Sequence, residues 1–252
     1  MTGIIIGAGR GRRLGPLTDN VPKCYAEIGG RRILDWTLGA LRGAGVRDVV
    51  FIGGYLIDRV RADYPGLRFC HNAGWAENNI LASLFCAESE MGRGFVSTYA
   101  DTLFTGDAVR RLVAAPADTA LLVDTDWRER YRLRTEHPEA DGEKIRLASG
   151  RVLQVSRAIP PDEAPAEFTG VAKFNPAGAR CLIDHYHGAR GAHHGRPFGR
   201  AATFLQAYLI DLLQHMLEAG VEMQAVETHG DYFEIDTAQD YQLARLGWRR
   251  GG

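Results

Sequence analysis

The stretch that decides the fold follows a short apolar run at residues 4–6. It reads Gly7-Ala8-Gly9-Arg10-Gly11-Arg12-Arg13-Leu14-Gly15-Pro16-Leu17-Thr18, and Pro22-Lys23 close it. An apolar run that stops at a cluster of glycines is typical of a buried strand followed by a loop. Because glycine lets the backbone come close to a ligand and aim its N–H groups at phosphate oxygens, the loop is predicted to bind a phosphorylated molecule.

Positive charge is concentrated around this loop. The 252 residues include 30 basic and 31 acidic side chains, which gives a net charge of −1. Residues 1–32 carry six cations and two anions, a balance of +4, so the remaining 220 residues carry −5. A near-neutral total gives no general attraction to nucleic acids or membranes, whereas a local cationic loop suits a small polyanion.

The composition excludes several classes of protein. A hydrophobic fraction of 45% with 24% charged residues is too apolar for a disordered chain. No apolar run approaches the ~18 residues of a membrane span, and the run at residues 4–6 is too short for a signal peptide. The cysteines show no C-x-x-C pair and are too sparse for a disulfide framework, so we expect reduced thiols and a cytoplasmic protein. They are Cys24, Cys70, Cys86 and Cys181.

Apolar periodicity predicts strands alternating with helices, and therefore an α/β sheet covered on both faces. Strands are predicted at residues 4–6, 49–52, 95–99, 120–123, 151–156, 168–174, 221–226 and 232–235. Helices are predicted at residues 33–41, 80–89, 107–114, 201–219 and 238–246. Residues 188–199, rich in Gly, His and Arg, are predicted to be a mobile surface loop. No linker divides the chain, so residues 1–252 are expected to form one domain.

The glycine loop alone admits three interpretations. A dinucleotide-binding loop requires G-x-G-x-x-G, but position 12 is Arg and no acidic residue follows the second strand. A P-loop requires G-x-x-x-x-G-K-[ST], which is absent. The third interpretation is a glycine-rich turn with solvated arginines. The Pro22-Lys23 pair at this distance from the glycines is what favours a phosphate-binding site.

The pattern A-G-x-G-x-R-L-x-P-L-T-x-x-x-P-K, from Ala8 to Lys23, resembles the signature of nucleotidyltransferases that activate sugar phosphates and related phosphates. Further segments resemble the cytidylyltransferases for phosphocholine and phosphonates. They are residues 71–84, 123–134, 143–145, 167–174 and 234–240. The resemblance implies a three-layer, Rossmann-like nucleotidyltransferase fold with a mixed, mostly parallel sheet. Residues 1–120 would mainly bind the nucleotide, and residues 121–252 the acceptor.

In this reaction class, a phosphate or phosphonate oxygen attacks the α-phosphorus of a nucleoside triphosphate, and pyrophosphate leaves. By resemblance, Arg13 would hold the β- and γ-phosphates, and Lys23 would bridge the attacking phosphate and the α-phosphate. The backbone of Gly7, Ala8, Gly9 and Gly11 would line base and phosphates. Asn78, Asn79 and Ser83 would read the base or order the loop around it; a helix N-cap with a surface serine is an equal alternative.

Asp101 and Asp236 are the candidate metal ligands, because each follows a predicted strand and strand ends of one sheet meet at one edge. Two carboxylates with phosphate oxygens suit Mg²⁺, the expected cofactor. Glu234 lies on the same strand face as Asp236. Ala100 departs from the Gly-Asp pair of many relatives, which leaves less room for the nucleotide. For the acceptor, the resemblance suggests Lys144 and Glu167. Trp127 and Tyr131 would pack on a cationic head group or, equally, in the core.

The leading hypothesis is a Mg²⁺-dependent cytidylyltransferase that uses CTP and a small phosphonate or phosphocholine-like acceptor. A sugar-1-phosphate nucleotidyltransferase using another triphosphate is the enzymatic alternative, and a nucleotide-sensing regulatory domain the non-enzymatic one. Sequence leaves the acceptor and the oligomeric state open, although a homo-oligomer is possible. Four histidines within residues 185–199 could form a zinc site. We favour instead the interpretation that this segment is a loop over the active site or a subunit contact. The four histidines are His185, His187, His193 and His194.

Overall fold

A nine-stranded mixed sheet forms the centre of the molecule in a computed structural model, which describes residues 1–248. The strands are β1 (Thr2–Gly7), β2 (Glu27–Ile28), β3 (Arg31–Arg32), β4 (Asp48–Gly53), β5 (Arg68–His71), β6 (Phe95–Tyr99), β7 (Thr102–Phe104), β8 (Thr119–Asp124), β9 (Lys144–Ala148), β10 (Arg151–Val155), β11 (Ala166–Phe174), β12 (Gln224–Thr228) and β13 (Tyr232–Glu234). The helices are α1 (Ile33–Gly43), α2 (Ile57–Asp63), α3 (Ile80–Phe85), α4 (Gly106–Ala114), α5 (Trp127–Tyr131), α6 (Pro176–Ala192), α7 (Leu209–Glu218) and α8 (Ala238–Gly247).

The strand order of the central sheet is β5-β4-β1-β6-β11-β8-β12-β10-β9. Strand β1 pairs in parallel with β4 and β6, and β8 pairs in parallel with β12. Strand β11 runs antiparallel between β6 and β8, and β10 runs antiparallel between β12 and β9. Seven of the nine strands therefore point the same way, which confirms the predicted mixed, mostly parallel sheet.

Helices cover both faces of the sheet because successive strand residues point to opposite sides. Ile4 and Ile6 belong to one core cluster, and Ile5 between them belongs to another. The first cluster takes its helical residues from α3, α6 and α7, including Leu84, Leu182 and Leu212. The second takes them from α1, α2 and α4, including Leu38, Val60 and Leu112. Three layers result, as predicted.

A small separate sheet brings the two candidate metal ligands together. Strands β7 and β13 pair antiparallel, with Thr102 opposite Glu234. As a result, Asp101 and Asp236 lie at the same end of this ladder, and the Ile235 N–H donates to the Asp101 carbonyl at 3.0 Å. The prediction that both aspartates follow strands of one sheet is therefore wrong for Asp236: β13 lies outside the central sheet. The expected meeting of the two residues still occurs.

The region around residues 176–219 differs most from the sequence prediction. Helix α6 runs to Ala192, so residues 188–192 are helical, and the predicted loop begins only at His193. Its buried residues Leu182, Tyr186 and Ala189 recur at helical spacing, whereas its late glycines are exposed and leave that face unaffected. The predicted helix at 201–219 is helical only from Leu209, after a short 3₁₀ turn.

Other boundaries differ less. The helix predicted over 80–89 ends at Phe85 and is followed by a 3₁₀ turn at Glu88–Glu90. Strands β5, β7 and β9 and the short helices α2 and α5 had no strong periodic signal and were not predicted. No helix among residues 1–248 is long and apolar enough to cross a membrane.

Candidate active site

Lys23 lies between the two candidate metal ligands. Its Nζ is 2.6 Å from Asp101 Oδ2 and also hydrogen-bonds Asp236 Oδ1. Burial alone would lower the pKa of Lys23, but the two carboxylates outweigh it and raise this pKa. Burial would likewise raise the pKa of Asp236, yet Lys23 and Arg13 hold it below its usual range. Lys23 and Asp236 are therefore both charged at neutral pH.

The glycine loop shapes the path of the lysine side chain. Gly11 has a φ of +69°, and a Cβ placed there would lie 2.7 Å from Lys23 Cδ. The loop is held by the Thr18 hydroxyl, which donates to the Gly11 carbonyl at 2.9 Å. Leu14 anchors it further, since it is fully buried in a cluster that includes Ile235. The glycines were predicted to let the backbone approach a ligand. At Gly11, the group that approaches the backbone is the Lys23 side chain.

A matched pair of glycine substitutions tests this arrangement. Gly11→Ala is expected to lower the free energy of unfolding by about 1–3 kcal/mol, because alanine at positive φ is strained and its Cβ displaces Lys23. Gly9→Ala should change it by less than about 0.5 kcal/mol, because no atom lies within 4 Å of its Cβ position. Urea denaturation measures both values. Equal losses for the two variants would contradict the assigned role of Gly11.

The glycine-loop cleft is the larger of two openings near Lys23, which lines this cleft and bonds Asp236 of the second opening. It is lined by residues 6–9, Gly11, residues 23–24, Trp75, residues 78–80, Ser83 and residues 99–101. It encloses about 690 Å³ of empty space, partly open to solvent. The residues predicted to line base and phosphates, namely Gly7, Ala8, Gly9, Gly11, Asn79 and Ser83, all line this cleft. Arg13, predicted to hold the β- and γ-phosphates, lines the second opening instead.

The polar side chains at the far end of the cleft are held by the protein itself. Asn79 is the N-cap of α3, and its Oδ1 accepts from the Ile80 N–H at 2.8 Å. The Ser83 hydroxyl donates to the Asn79 carbonyl at 3.1 Å and accepts from Asn72 Nδ2 at 2.8 Å. Asn72 and Asn78 exchange two hydrogen bonds through their amides. The capping alternative therefore describes Asn79, and base reading by Ser83 stays a prediction.

The second opening, the acidic cavity, lies beyond Asp236. It is lined by Arg13, Tyr99, His137, Asp141, Glu143, Arg157, Glu167, Phe168, Tyr232, Glu234 and Asp236. Arg13 reaches across its mouth, with Nη2 2.7 Å from Asp236 Oδ2 and Nη1 3.1 Å from Asp141 Oδ2. Arg13 is half exposed, so it can exchange these partners for a ligand. Lys23 and Arg13, predicted from the same motif, thus bind the same carboxylate from two sides.

Burial raises the pKa of two acids in this cavity. Glu143 has its pKa raised to about 7, mainly by burial and against the opposing effect of Arg157. Glu234 has its pKa raised well above the usual value, by burial and by the nearby charges of Asp236 and Asp101. A bound positive charge would stabilise the ionised form of both. Sequence reasoning assigned no role to Glu143, Arg157 or His137, and only the family-like segment at 143–145 pointed toward Glu143.

Of the four residues predicted to bind the acceptor, Glu167 lines the acidic cavity. Tyr131 reaches it indirectly, because its hydroxyl donates to Glu167 Oε1 at 2.8 Å. Trp127 is 1% exposed and donates through Nε1 to the Ala164 carbonyl, so its contacts are those of a core residue. Lys144 is buried, and its Nζ donates to the carbonyls of Glu139 and Gly142. Trp127 and Lys144 do not line the cavity, and a direct acceptor contact is therefore unsupported for them.

The donor set at Lys23 fits a divalent cation. Asp101 Oδ1 is buried and has no hydrogen-bond partner among the described residues. Asp101 and Asp236 both bond to one nitrogen, so oxygens from both can reach one small ion. Carboxylate oxygens are the ligands that Mg²⁺ prefers. His137, Glu234 and Asp236 also have potential ligand atoms within 4.8 Å of one another.

The histidines of residues 185–199 do not form a comparable group. His187 Nε2 lies 3.0 Å from Glu88 Oε1, and His193 Nδ1 lies 2.8 Å from the Pro197 carbonyl oxygen. The rings of His185 and His215 are 5.5 Å apart. Within residues 1–248, the group at His137 is the one set of three or more His, Cys, Asp or Glu close enough to share a metal. A zinc site at the predicted loop is therefore not formed.

The chain is similar in sequence and in fold to several nucleotidyltransferases. CTP:phosphoglutamine cytidylyltransferase from Campylobacter jejuni subsp. jejuni serotype O:2 is 29% identical over 96% of this chain and 98% of its own length. UTP–glucose-1-phosphate uridylyltransferase from Haloferax volcanii is 28% identical over 70% of this chain and 73% of its own. The solved CTP:phosphocholine cytidylyltransferase from Streptococcus pneumoniae superposes with a TM-score of 0.74 at 20% identity. That match covers 98% of this chain and 99% of the other, and it confirms the predicted Rossmann-like nucleotidyltransferase fold.

A family model also matches most of the sequence. It is described as the MobA-like NTP transferase domain, and it spans residues 3–219. This span includes the glycine loop, Lys23 and Asp101, together with eleven of the thirteen strands. It confirms the resemblance stated for the motif from Ala8 to Lys23. The chain belongs to the family of MobA-like NTP transferase domains and is thus a nucleotidyltransferase by family.

Proposed function

We propose that the protein is a CTP-dependent cytidylyltransferase that joins CMP to a small phosphorylated or phosphonate acceptor and releases pyrophosphate. The observation that carries the proposal is the position of Lys23, fixed between Asp101, which lines the glycine-loop cleft, and Asp236, which lines the acidic cavity. Two relatives support the choice of nucleotide, since the Campylobacter protein and the solved Streptococcus protein are both named for CTP.

The chemistry needs little beyond positioning and positive charge. An oxygen of the acceptor attacks the α-phosphorus while the bond to pyrophosphate breaks, so both reactants are polyanions and repel each other. Lys23 offers a compact charge at the point where they meet, and Arg13 offers a planar fork for the leaving pyrophosphate. The acceptor oxygen is already anionic, so no general base is required.

Asp101 and Asp236 are proposed to hold Mg²⁺ during turnover. When bound, this ion would neutralise charge on the phosphate oxygens and keep their geometry fixed. The unpartnered Asp101 Oδ1 supports a ligand at this position, because a buried carboxylate oxygen without a partner is costly.

The acidic cavity supports an acceptor that carries a cationic nitrogen. Glu143 is buried and Glu234 partly buried, and both line the cavity. Neither a neutral sugar nor a second anion would stabilise their charges. Phosphocholine, after which the solved Streptococcus enzyme is named, is an acceptor of this kind. Cytoplasmic location remains a prediction from the cysteine pattern, and the lack of nucleic-acid or membrane partners remains a prediction from the charge distribution.

Pyrophosphate release across nucleotides and acceptors tests the proposal. The purified protein is given CTP, ATP, GTP or UTP with phosphocholine, 2-aminoethylphosphonate, hydroxyethylphosphonate, phosphoglutamine or glucose 1-phosphate. We expect turnover with CTP and an aminated acceptor to exceed all other combinations by at least about tenfold, a discrimination that polar contacts readily supply. Preference for UTP with glucose 1-phosphate would favour the sugar-nucleotide alternative. Nucleotide binding without turnover on any acceptor would favour a sensor.

A further inference from the structure

Asp240 holds the backbone of the proposed metal ligand Asp236. Its Oδ2 accepts from the N–H groups of Asp236 and Thr237, at 3.1 and 2.9 Å, and lies 3.1 Å from His137 Nδ1. Because N, Cα and Cβ of a residue are rigidly connected, a fixed N–H restricts the direction in which the side chain points. The orientation of the Asp236 carboxylate therefore depends on Asp240.

Part of this arrangement is an ordinary helix cap. The Thr237 hydroxyl accepts from the Asp240 N–H at 3.1 Å, and the Asp240 carboxylate accepts from the Thr237 N–H in return. Such a reciprocal pair satisfies two N–H groups at the start of a helix. It requires neither a bond to Asp236, which precedes the cap residue, nor complete burial of Asp240. Capping of α8 is therefore only part of what Asp240 does.

The counterion of Asp240 is a buried arginine from a distant segment. Arg134 Nε lies 2.9 Å from Asp240 Oδ1, and both side chains are at most 1% exposed. Arg134 Nη2 also donates to the Glu234 carbonyl at 2.8 Å. One guanidinium thus joins the end of β13, before Asp236, to the start of α8 that follows it.

A buried ion pair of this kind is an inefficient way to stabilise a fold. The two charges lose their hydration, and apolar side chains of similar volume often stabilise a protein equally well or better. What the pair between Arg134 and Asp240 supplies is a fixed geometry on both sides of Asp236. Geometry matters here, because a displacement of about 1 Å in a group that aligns the reactants can slow a reaction about 100-fold.

A second contact joins the same two segments without touching Asp236. Gln239 Oε1 accepts from the N–H groups of Thr135 and Glu136, at 2.7 and 3.1 Å. Gln239 is partly exposed, and it fastens α8 to the segment that contains Arg134. It is therefore a matched control for Asp240, since it shares the packing role but does not contact the proposed metal ligand.

We propose that Asp240 is a positioning residue of the metal site: paired with Arg134, it holds the Asp236 carboxylate where it can bind a divalent cation together with Asp101. This inference rests on the proposed function and adds two residues that act without touching the nucleotide or the metal. Asp240 itself supplies no ligand atom, because Arg134 engages its Oδ1 and the three N–H contacts engage its Oδ2.

Mn²⁺ binding in the presence of CTP, measured by electron paramagnetic resonance, tests the proposal without turnover. Asp240→Asn keeps the shape of the side chain but loses the charge that pairs with Arg134. It is expected to weaken Mn²⁺ binding at least about fivefold and to lower kcat at least about tenfold, because the Asp236 carboxylate is no longer held in place. Gln239→Ala should change both by less than about twofold. Equal Mn²⁺ binding by the unmodified protein and both variants would overturn the inference.

A double-mutant cycle shows whether Asp240 acts through Asp236. In the Asp236→Asn background, adding Asp240→Asn should change Mn²⁺ binding and kcat by less than about twofold, because no carboxylate ligand remains to be positioned. Effects of the two substitutions that multiply in full would mean independent roles and would overturn the inference.

Thermal unfolding checks that each variant folds. If Asp240→Asn does not fold, Asp240→Glu takes its place in the cycle, since it keeps the charge that pairs with Arg134 and moves the carboxylate by one methylene. Its Mn²⁺ binding should still be weakened at least about threefold, and binding equal to that of the unmodified protein would overturn the inference.

The measurements separate this inference from the function on which it rests. Turnover of CTP with Mn²⁺ binding that Asp240→Asn leaves unchanged would overturn the inference and leave the cytidylyltransferase intact. Failure of every acceptor to release pyrophosphate from CTP would overturn the proposed function. Mn²⁺ binding that Asp240→Asn weakens would then support the positioning role in a protein of another activity.

Discussion

Replacing Lys23 by alanine is expected to lower kcat by at least about 10³-fold, while the affinity for CTP falls by only about tenfold. The side chain is fixed by Asp101 of the glycine-loop cleft and Asp236 of the acidic cavity, and the two anionic reactants are proposed to approach each other beside it. A preorganised charge at such a point acts mainly on the transition state, so its loss appears in kcat more than in binding. Pyrophosphate release gives kcat, and calorimetric titration with CTP gives the affinity.

Two further variants act as controls for this prediction. Arg10→Ala removes a cation from the same loop. The one ion pair of Arg10 in the described structure is with Asp19, and it is exposed and 3.4 Å long. This substitution should change kcat by less than about threefold. Lys23→Arg keeps the charge but places a larger group against Gly11, so it should recover little activity. A Lys23→Ala enzyme with an unchanged rate, or one no slower than Arg10→Ala, would disprove the proposed role of Lys23.

The nucleotide end of the site could be predicted because one contiguous motif contains most of its parts. The glycines, Arg13 and Lys23 lie within seventeen residues that follow a strongly apolar strand. Asp101 was predictable for the same reason, since it follows the buried strand β6. Strand ends of a parallel sheet meet at one edge, and this rule alone brings distant segments together.

The acceptor end could not be predicted in the same way. Glu143 immediately precedes β9, Arg157 lies in the loop after β10, and Glu234 ends the short strand β13. In such segments no periodic pattern distinguishes a residue that lines a cavity from an exposed one. Their contacts depend on how these segments fold over the sheet. Trp127 is a case in which a predicted ligand contact is not supported. An aromatic residue in a charged segment suggested such a contact, but the side chain packs against Ile159 and Ala164 in a buried cluster.

Helix α6 shows a third limit. Its glycines and histidines favoured a loop prediction for residues 188–199, because glycine is unfavourable in helices. The helix continues to Ala192 because Asn175 caps its start and because Leu182, Tyr186 and Ala189 pack into the core. Packing of one apolar face outweighs a penalty of about 1 kcal/mol per exposed glycine.

Replacing Asp236 by asparagine is expected to lower kcat by about 10²- to 10³-fold. The carboxylate bonds Lys23 through Oδ1 and Arg13 through Oδ2, so one neutral amide removes the ion pairs that orient both cations. The stability also changes in a defined direction. The pKa of Asp236 is lowered in the folded protein, so its contribution is present at neutral pH and is lost as the pH falls below about 4, the usual range of an aspartate. Urea denaturation at pH 7 should show the variant to be less stable, and the difference should shrink toward pH 3.

Metal binding gives a second and independent measurement of the same substitution. Mn²⁺ as a paramagnetic substitute for Mg²⁺ should bind the unmodified protein in the presence of CTP, and Asp236→Asn should weaken that binding at least about tenfold, because a charged ligand is lost. Asp19→Asn is the matched control, since Asp19 is an exposed acid of the glycine-loop region that lies outside the cleft lining. Electron paramagnetic resonance measures the bound fraction without any turnover. Equal Mn²⁺ binding by both variants, together with a slow Asp236→Asn enzyme, would show that Asp236 serves only to hold Lys23 and Arg13 and would remove it from the proposed metal site.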